Sequence, residues 1–150
     1  MKNEEVGFIA KFFDKAYEGK TILELVNAPV VAISGISEAD AKNLEKAFGI
    51  KTVKDLAKNV NVRLAQGLNF FSEATGVIMD KKFNPEEYKK LASNAVSAIK
   101  GVSEKDGELL KKAFGIKTIK DLAENKYVAI AQATVSLAAL LVVLRALYSE

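Results

Sequence analysis

Apolar residues along the chain recur at spacings of three and four and nowhere alternate steadily with polar ones. That pattern predicts helices and no sheet. Val6, Ile9, Phe12, Phe13, Ala16 and Tyr17 mark one face of a first helix, with Asn3 as its cap, Glu4 and Glu5 in its first turn and Gly19 as its stop. Thr21-Ile22-Leu23-Glu24 reads as a capping box for a short helix that ends at Asn27-Ala28-Pro29. Val30 to Ser34 is a short helix or turn, and Gly35 stands where the chain must reverse. Ser37 and Asp40 have capping-box spacing, so a helix should begin near Glu38, with Leu44, Ala47 and Phe48 facing inward and Gly49 as its stop. Thr52 and Asp55 repeat the arrangement for a short helix ending near Asn59, and a long helix should follow from about Val60 to Met79. Its apolar positions, including Leu64, Leu68, Phe70, Phe71 and Ala74, are expected to pack in the core.

The stretch from Ala32 to Gln66 then recurs, without a gap, from Ala98 to Gln132, and about 22 of 35 positions are identical, a degree of self-similarity that marks a repeat architecture. Ser103 with Asp106 starts the second copy of the capped helix near Glu104. Leu110, Ala113 and Phe114 repeat its inward face, Gly115 its stop, Ile116 the apolar residue just beyond, and Thr118 with Asp121 the next cap. Asn125 stands where Asn59 does, and the last helix should run from near Lys126 to Tyr148. Between the copies, Asn84-Pro85-Glu86-Glu87 opens a helix after a short charged linker from Asp80 to Phe83.

The order apolar-Gly-apolar-Ser-Glu, then Leu, then Phe-Gly-Ile-Lys-Thr-apolar-Lys-Asp-Leu-Ala appears at Ile33 to Leu44 with Phe48 to Ala57, and again at Ile99 to Leu110 with Phe114 to Ala123. It resembles the helix-hairpin-helix superfamily, and its doubled form is similar to uncharacterised prokaryotic proteins carrying such repeats. The resemblance covers roughly two-thirds of the chain. It implies DNA binding without sequence preference, in which hairpin amides and the following helix start hold a phosphate. The residues that match those contacts are Gly35, Ser37, Gly101 and Ser103, with the lysines Lys51, Lys54, Lys100, Lys117 and Lys120 about them. The DNA-binding hairpin usually reads Gly-apolar-Gly, and here Ser37 and Ser103 replace the second glycine. A serine hydroxyl can accept the first helical amides itself, a cap worth about 1 kcal/mol. Glu38, Asp40, Glu104 and Asp106 add negative charge where a phosphate would sit.

Composition narrows the chemistry. The 150 residues are about half apolar and carry a net charge of +3, an excess too small to argue by itself for nucleic acid or an acidic membrane. Histidine and cysteine are absent, which removes imidazole bases, thiolate nucleophiles and disulfides. The carboxylates have capping positions rather than calcium-loop spacing. We therefore expect no enzyme, no cofactor and no metal. The repeated lysines, Lys46 and Lys112 included, also read simply as a solvated face, since Asp55 and Asp121 recur with them.

Tyr127 to Leu144 contains no charged residue and borders on the length of a membrane span. Gln132, Thr134 and Ser136 interrupt it, and its first-repeat counterpart carries Arg63 and Glu73, so a central core helix packed on the Val60 to Met79 helix is the expectation. Its leucines are apolar on too many sides for one face, so Leu137, Leu141 and Leu144 are the expected contacts of a homo-oligomer, unless the N-terminal helix covers them. The expected architecture is all-α: two repeats related by a pseudo-two-fold around a shared helical core, residues 1–79 and 80–150 forming one compact unit. The expected function is a non-enzymatic interaction or assembly module in the cytoplasm, with itself as one partner and no small-molecule substrate. DNA binding through the hairpins and lysines is the alternative.

Overall fold

The computed structural model describes residues 9–80, 82 and 86–148. Asn3, Glu4, Glu5, Val6, Asn84 and Pro85, named above for caps and a helix face, lie outside them. The described chain is all-α, and its only β-type pairings are isolated bridges.

In the first repeat, α1 spans Ile22–Val26, α2 Glu38–Phe48, α3 Val53–Lys58 and α4 Val60–Ile78. In the second, α5 spans Glu86–Lys89, α6 Glu104–Phe114, α7 Ile119–Ala123 and α8 Lys126–Tyr148. Short 3-10 turns at Val30–Ala32 and Val96–Ala98 lead into the two hairpins. Each repeat is closed by the same backbone stitch. Val30 N donates to Lys51 O at 3.0 Å and Val53 N to Ala28 O at 2.9 Å. Val96 N to Lys117 O and Ile119 N to Asn94 O are the second-repeat equivalents, at 3.1 and 2.9 Å.

The repeats pack by exchanging partners. Helix α2 lies against its own counterpart α6, whereas α3 packs on α8 and α7 packs on α4. The opening segments follow suit, α1 against α8 and α5 against α4. Short helices are too small to bury a face alone, and the exchange covers each with the other repeat's long helix. The long helices do not pack along their length, contrary to expectation. They meet where Gln66 and Gln132, the same residue of each repeat, trade amide hydrogen bonds at 2.8 and 2.9 Å. Gln132 also donates to Ala57 O at 3.3 Å. One continuous apolar cluster runs through both repeats, with Leu44, Leu56, Leu110 and Leu122 among its fully buried members.

The expected N-terminal helix is broken over its described part. Ile9–Phe12 and Lys15–Tyr17 are separate 3-10 turns. Between them Phe13 bridges to Ile33, and Asp14 is extended, its amide donating to Ala32 O at 2.8 Å. Pairing with the first hairpin wins over helical continuity, because it buries Ile9 and Phe13 and satisfies backbone groups of both strands of chain. The described part of this segment therefore covers the first hairpin, and Leu137, Leu140 and Leu144 on α8 are exposed. Two aromatic expectations also change. Phe13 is buried and Phe71 half-buried against Tyr88, but Phe70 is 68% exposed and Phe12 37%. Leu64, expected inside, is 47% exposed.

Candidate interaction surfaces

The two hairpins decide whether an anion could be held. Ser37 Oγ accepts from Asp40 N at 3.0 Å, and Ser37 N donates to Asp40 Oδ2 at 3.1 Å. Ser103 and Asp106 make the same pair of bonds at the same distances. A reciprocal box of this kind occupies two amide donors at the helix start that would otherwise face an incoming oxyanion. The Asp40 and Asp106 carboxylates hold the position a phosphate oxygen would take, and Glu38 and Glu104 add charge beside them. Gly35 and Gly101 both adopt left-handed φ, +98° and +93°, as the reversal requires.

A second tier of capping follows. Asp55 Oδ2 accepts from Lys51 N and Thr52 N, both at 3.0 Å, and Asp121 Oδ2 accepts from Lys117 N and Thr118 N at 3.0 Å. At Asp55 burial opposes ionisation, but the Lys51 and Thr52 bonds together outweigh it and hold the carboxyl below its ordinary 3.8. At Asp121 the Thr118 and Lys117 amides dominate, with the same direction. A carboxyl depressed in the folded state stabilises the fold above its unfolded pKa, and that contribution is lost as pH falls through the folded value. Thermal melts below about pH 4 should therefore lose stability less steeply in an Asp55→Asn, Asp121→Asn variant than in the parent. Both side chains are exposed, so solvent screening keeps the difference small.

The two hairpins are not equally accessible. The first is roofed over: Ser34 N donates to Phe12 O at 2.8 Å, Ser34 Oγ to Asp14 Oδ1 at 3.1 Å, and Tyr127 Oη to Gly35 O at 3.3 Å. Tyr127 is held by the Phe114 ring, centroids 4.7 Å apart. A Cβ on Gly35 would lie 2.6 Å from Tyr127 Oη, whereas among the described residues nothing lies within 4 Å of the same position on Gly101. The second repeat has Asn61's counterpart as Tyr127 and Ser34's counterpart as Lys100, so the described residues build the roof over the first hairpin alone. The sequence placed both hairpins together as candidate contacts, and the structure separates them. Lys100, Gly101 and Ser103 are exposed, while Gly35 and Ser37, also exposed, sit beside the N-terminal segment and Tyr127.

The lysines divide similarly. Lys51 pairs with Glu45 at 3.9 Å. The second repeat has Lys111 in place of Glu45, so Lys111 and Lys117 line one groove, together with Glu104, Lys105 and Glu108. Lys46 and Lys54 are exposed on α2 and α3, and Lys112 and Lys120 on α6 and α7. Among the described residues, no group of three or more carboxylates is placed to hold a metal ion.

A run of exposed apolar side chains lies on α8. Its core side buries Val128, Ala131, Thr134 and Ala138. Leu137 and Leu144 are exposed, 37% and 40%, as are Leu140 (52%), Val143 (52%) and Leu147 (69%). Leu141, grouped with Leu137 and Leu144 on the sequence, is only partly exposed and packs against the core instead. Leu141 lies three residues beyond Ala138 and seven beyond Thr134, so it continues the buried stripe of the helix.

Residues 28–76, spanning the first repeat from before its hairpin into α4, match the model of the SAM-like helix-hairpin-helix tandem. Neither a curated protein nor a solved structure matches the chain. The family match covers about a third of the chain, which is similar there to a helix-hairpin-helix tandem, and such domains are commonly modules that contact nucleic acid or other proteins.

Proposed function

We propose that the chain is a non-enzymatic interaction module of the cytoplasm. Its two repeats, related by a pseudo-two-fold at the Gln66–Gln132 pair, form a rigid body that presents helix faces to protein partners, itself among them. The observation that carries this reading is the doubled serine–aspartate box. The helix-start donors by which a hairpin would grip phosphate already serve the chain's own side chains. No catalytic role is assigned, since neither imidazole nor thiol occurs in the sequence.

A second reading, binding of duplex DNA through its phosphates, is favoured by one observation: the second hairpin, with Lys100 beside the unroofed Gly101, stays open to solvent. Titration of a labelled duplex at two salt concentrations separates the two. The interaction-module reading expects no saturable binding at low salt. Saturable binding that weakens steeply with salt, by a log–log slope of about 0.9 per phosphate contacted, and that is lost in a Lys100→Glu, Lys117→Glu variant, would establish the DNA reading instead.

A further inference from the structure

We propose that the outer face of α8 is the docking surface for a second copy of this chain, the two α8 helices lying side by side. The inference deepens the interaction-module reading and rests on it. Opposite the buried Val128, Ala131, Thr134 and Ala138, the exposed residues Ala133, Leu137, Leu140, Leu144 and Leu147 are spaced alternately by four and three. That is the heptad spacing that keeps one seam of a helix facing a partner helix. A lipid surface asks only for apolar character and imposes no such spacing. Toward the helix start the outer face narrows to Ala129, Ala133 and Ser136, small enough for a second backbone to approach.

The occupant follows from charge and area. No charged residue occurs from Tyr127 to Leu144. The equivalent stretch of α4 carries Arg63 where α8 has Ala129, and Glu73 where α8 has Ala139. A seam without charges offers nothing for a partner of opposite sign, and it is self-complementary, as a two-fold interface between identical subunits must be. The exposed fractions of the four leucines and Val143 amount to apolar area on the order of 1,000 Å² over two copies, where specific interfaces begin. Helix α8 is also long and apolar enough to cross a bilayer by length and composition. Its first half, however, is fixed in the fold by its buried residues and by the Gln132 bonds to Gln66 and Ala57, so leaving the body would break the shared core.

Size-exclusion chromatography with light scattering of the full chain tests this. The expected mass is that of two copies, falling twofold to one copy in a Leu140→Glu, Leu147→Glu variant. Circular dichroism must show that the variant keeps its helix content and cooperative melt. A Leu64→Glu variant, on exposed α4 surface, should keep the parent's mass and shows that a surface glutamate alone does not dissociate the pair. A parent that runs as one copy, or a dimer untouched by the α8 substitutions, overturns the proposal. So does a monomer that floats with phosphatidylserine vesicles, which would assign the face to lipid. A single copy that ignores DNA sinks only this inference. Lysine-dependent DNA binding sinks the interaction-module reading, whatever the mass.

Discussion

Truncating Leu110 to alanine should lower stability by about 2–5 kcal/mol, the range for emptying a fully buried leucine site. Leu110 is 1% exposed on α6, and its counterpart Leu44 is 2% exposed on α2, the helix against which α6 packs. Leu44→Ala should cost a similar amount. The more informative part of the result is its shape. Because α3 and α8, and likewise α7 and α4, are exchanged between repeats, neither repeat keeps its core when the other opens. Either variant should therefore melt as a whole in one transition, its midpoint lowered by about 2–4 °C for each kcal/mol lost in a chain of this size. Far-ultraviolet circular dichroism and tyrosine fluorescence, followed together through a thermal melt, would check this. Two separated transitions, with one repeat surviving the loss of its partner's leucine, would show that residues 1–79 and 80–150 are independent.

Gly35→Ala should be markedly more damaging than Gly101→Ala, although the two glycines are equivalent by repeat and nearly equal in backbone angle. Both substitutions force an L-residue into positive φ, which costs about 1–3 kcal/mol. Only at Gly35 does the new methyl collide with Tyr127 Oη. The tyrosine tip can swing aside, but doing so breaks its bond to Gly35 O and disturbs its contact with Phe114. That adds about 1 kcal/mol for the hydrogen bond and more for the lost packing. A Tyr127→Phe background removes the hydrogen bond and the nearest clashing atom, so there the two alanine variants should converge. Denaturant midpoints of the four proteins measure the difference. Equal losses at both glycines in the parent would mean that the roof over the first hairpin contributes nothing.

The features legible in the sequence are those fixed within about a turn of helix. Ser37 with Asp40, Thr52 with Asp55, Gly49 as a left-handed stop, and their second-repeat copies each depend on residues three or four apart, and the structure places them as the spacing implies. The features it hid depend on distant partners. Nothing local says that Phe13 leaves its helix to bridge to Ile33, or that Tyr127 reaches back across the fold to Gly35. Helical periodicity likewise placed Phe70 inside, because it counts apolar residues and cannot tell which apolar face finds a cover. The repeat itself held a clue to the unequal hairpins. Ser34 against Lys100 and Asn61 against Tyr127 are among the positions where the copies disagree, and the structure puts Ser34 at the first hairpin and Tyr127 over it. The exchange of helices between repeats depends on which complementary faces meet, and a list of amphipathic stretches leaves that open.

Whether the hairpins are struts or grips can be read residue by residue. Backbone amide shifts of the isotope-labelled protein, followed while a short duplex is added at low salt, report directly on Gly35 to Asp40 and Gly101 to Asp106. With the serine and aspartate side chains holding the helix-start donors, neither group of amides should move with added duplex. Saturable shifts concentrated at Gly101 to Asp106, with the Asp106 amide among them, would mean that phosphate displaces the chain's own cap, and the hairpin would then be a nucleic-acid contact.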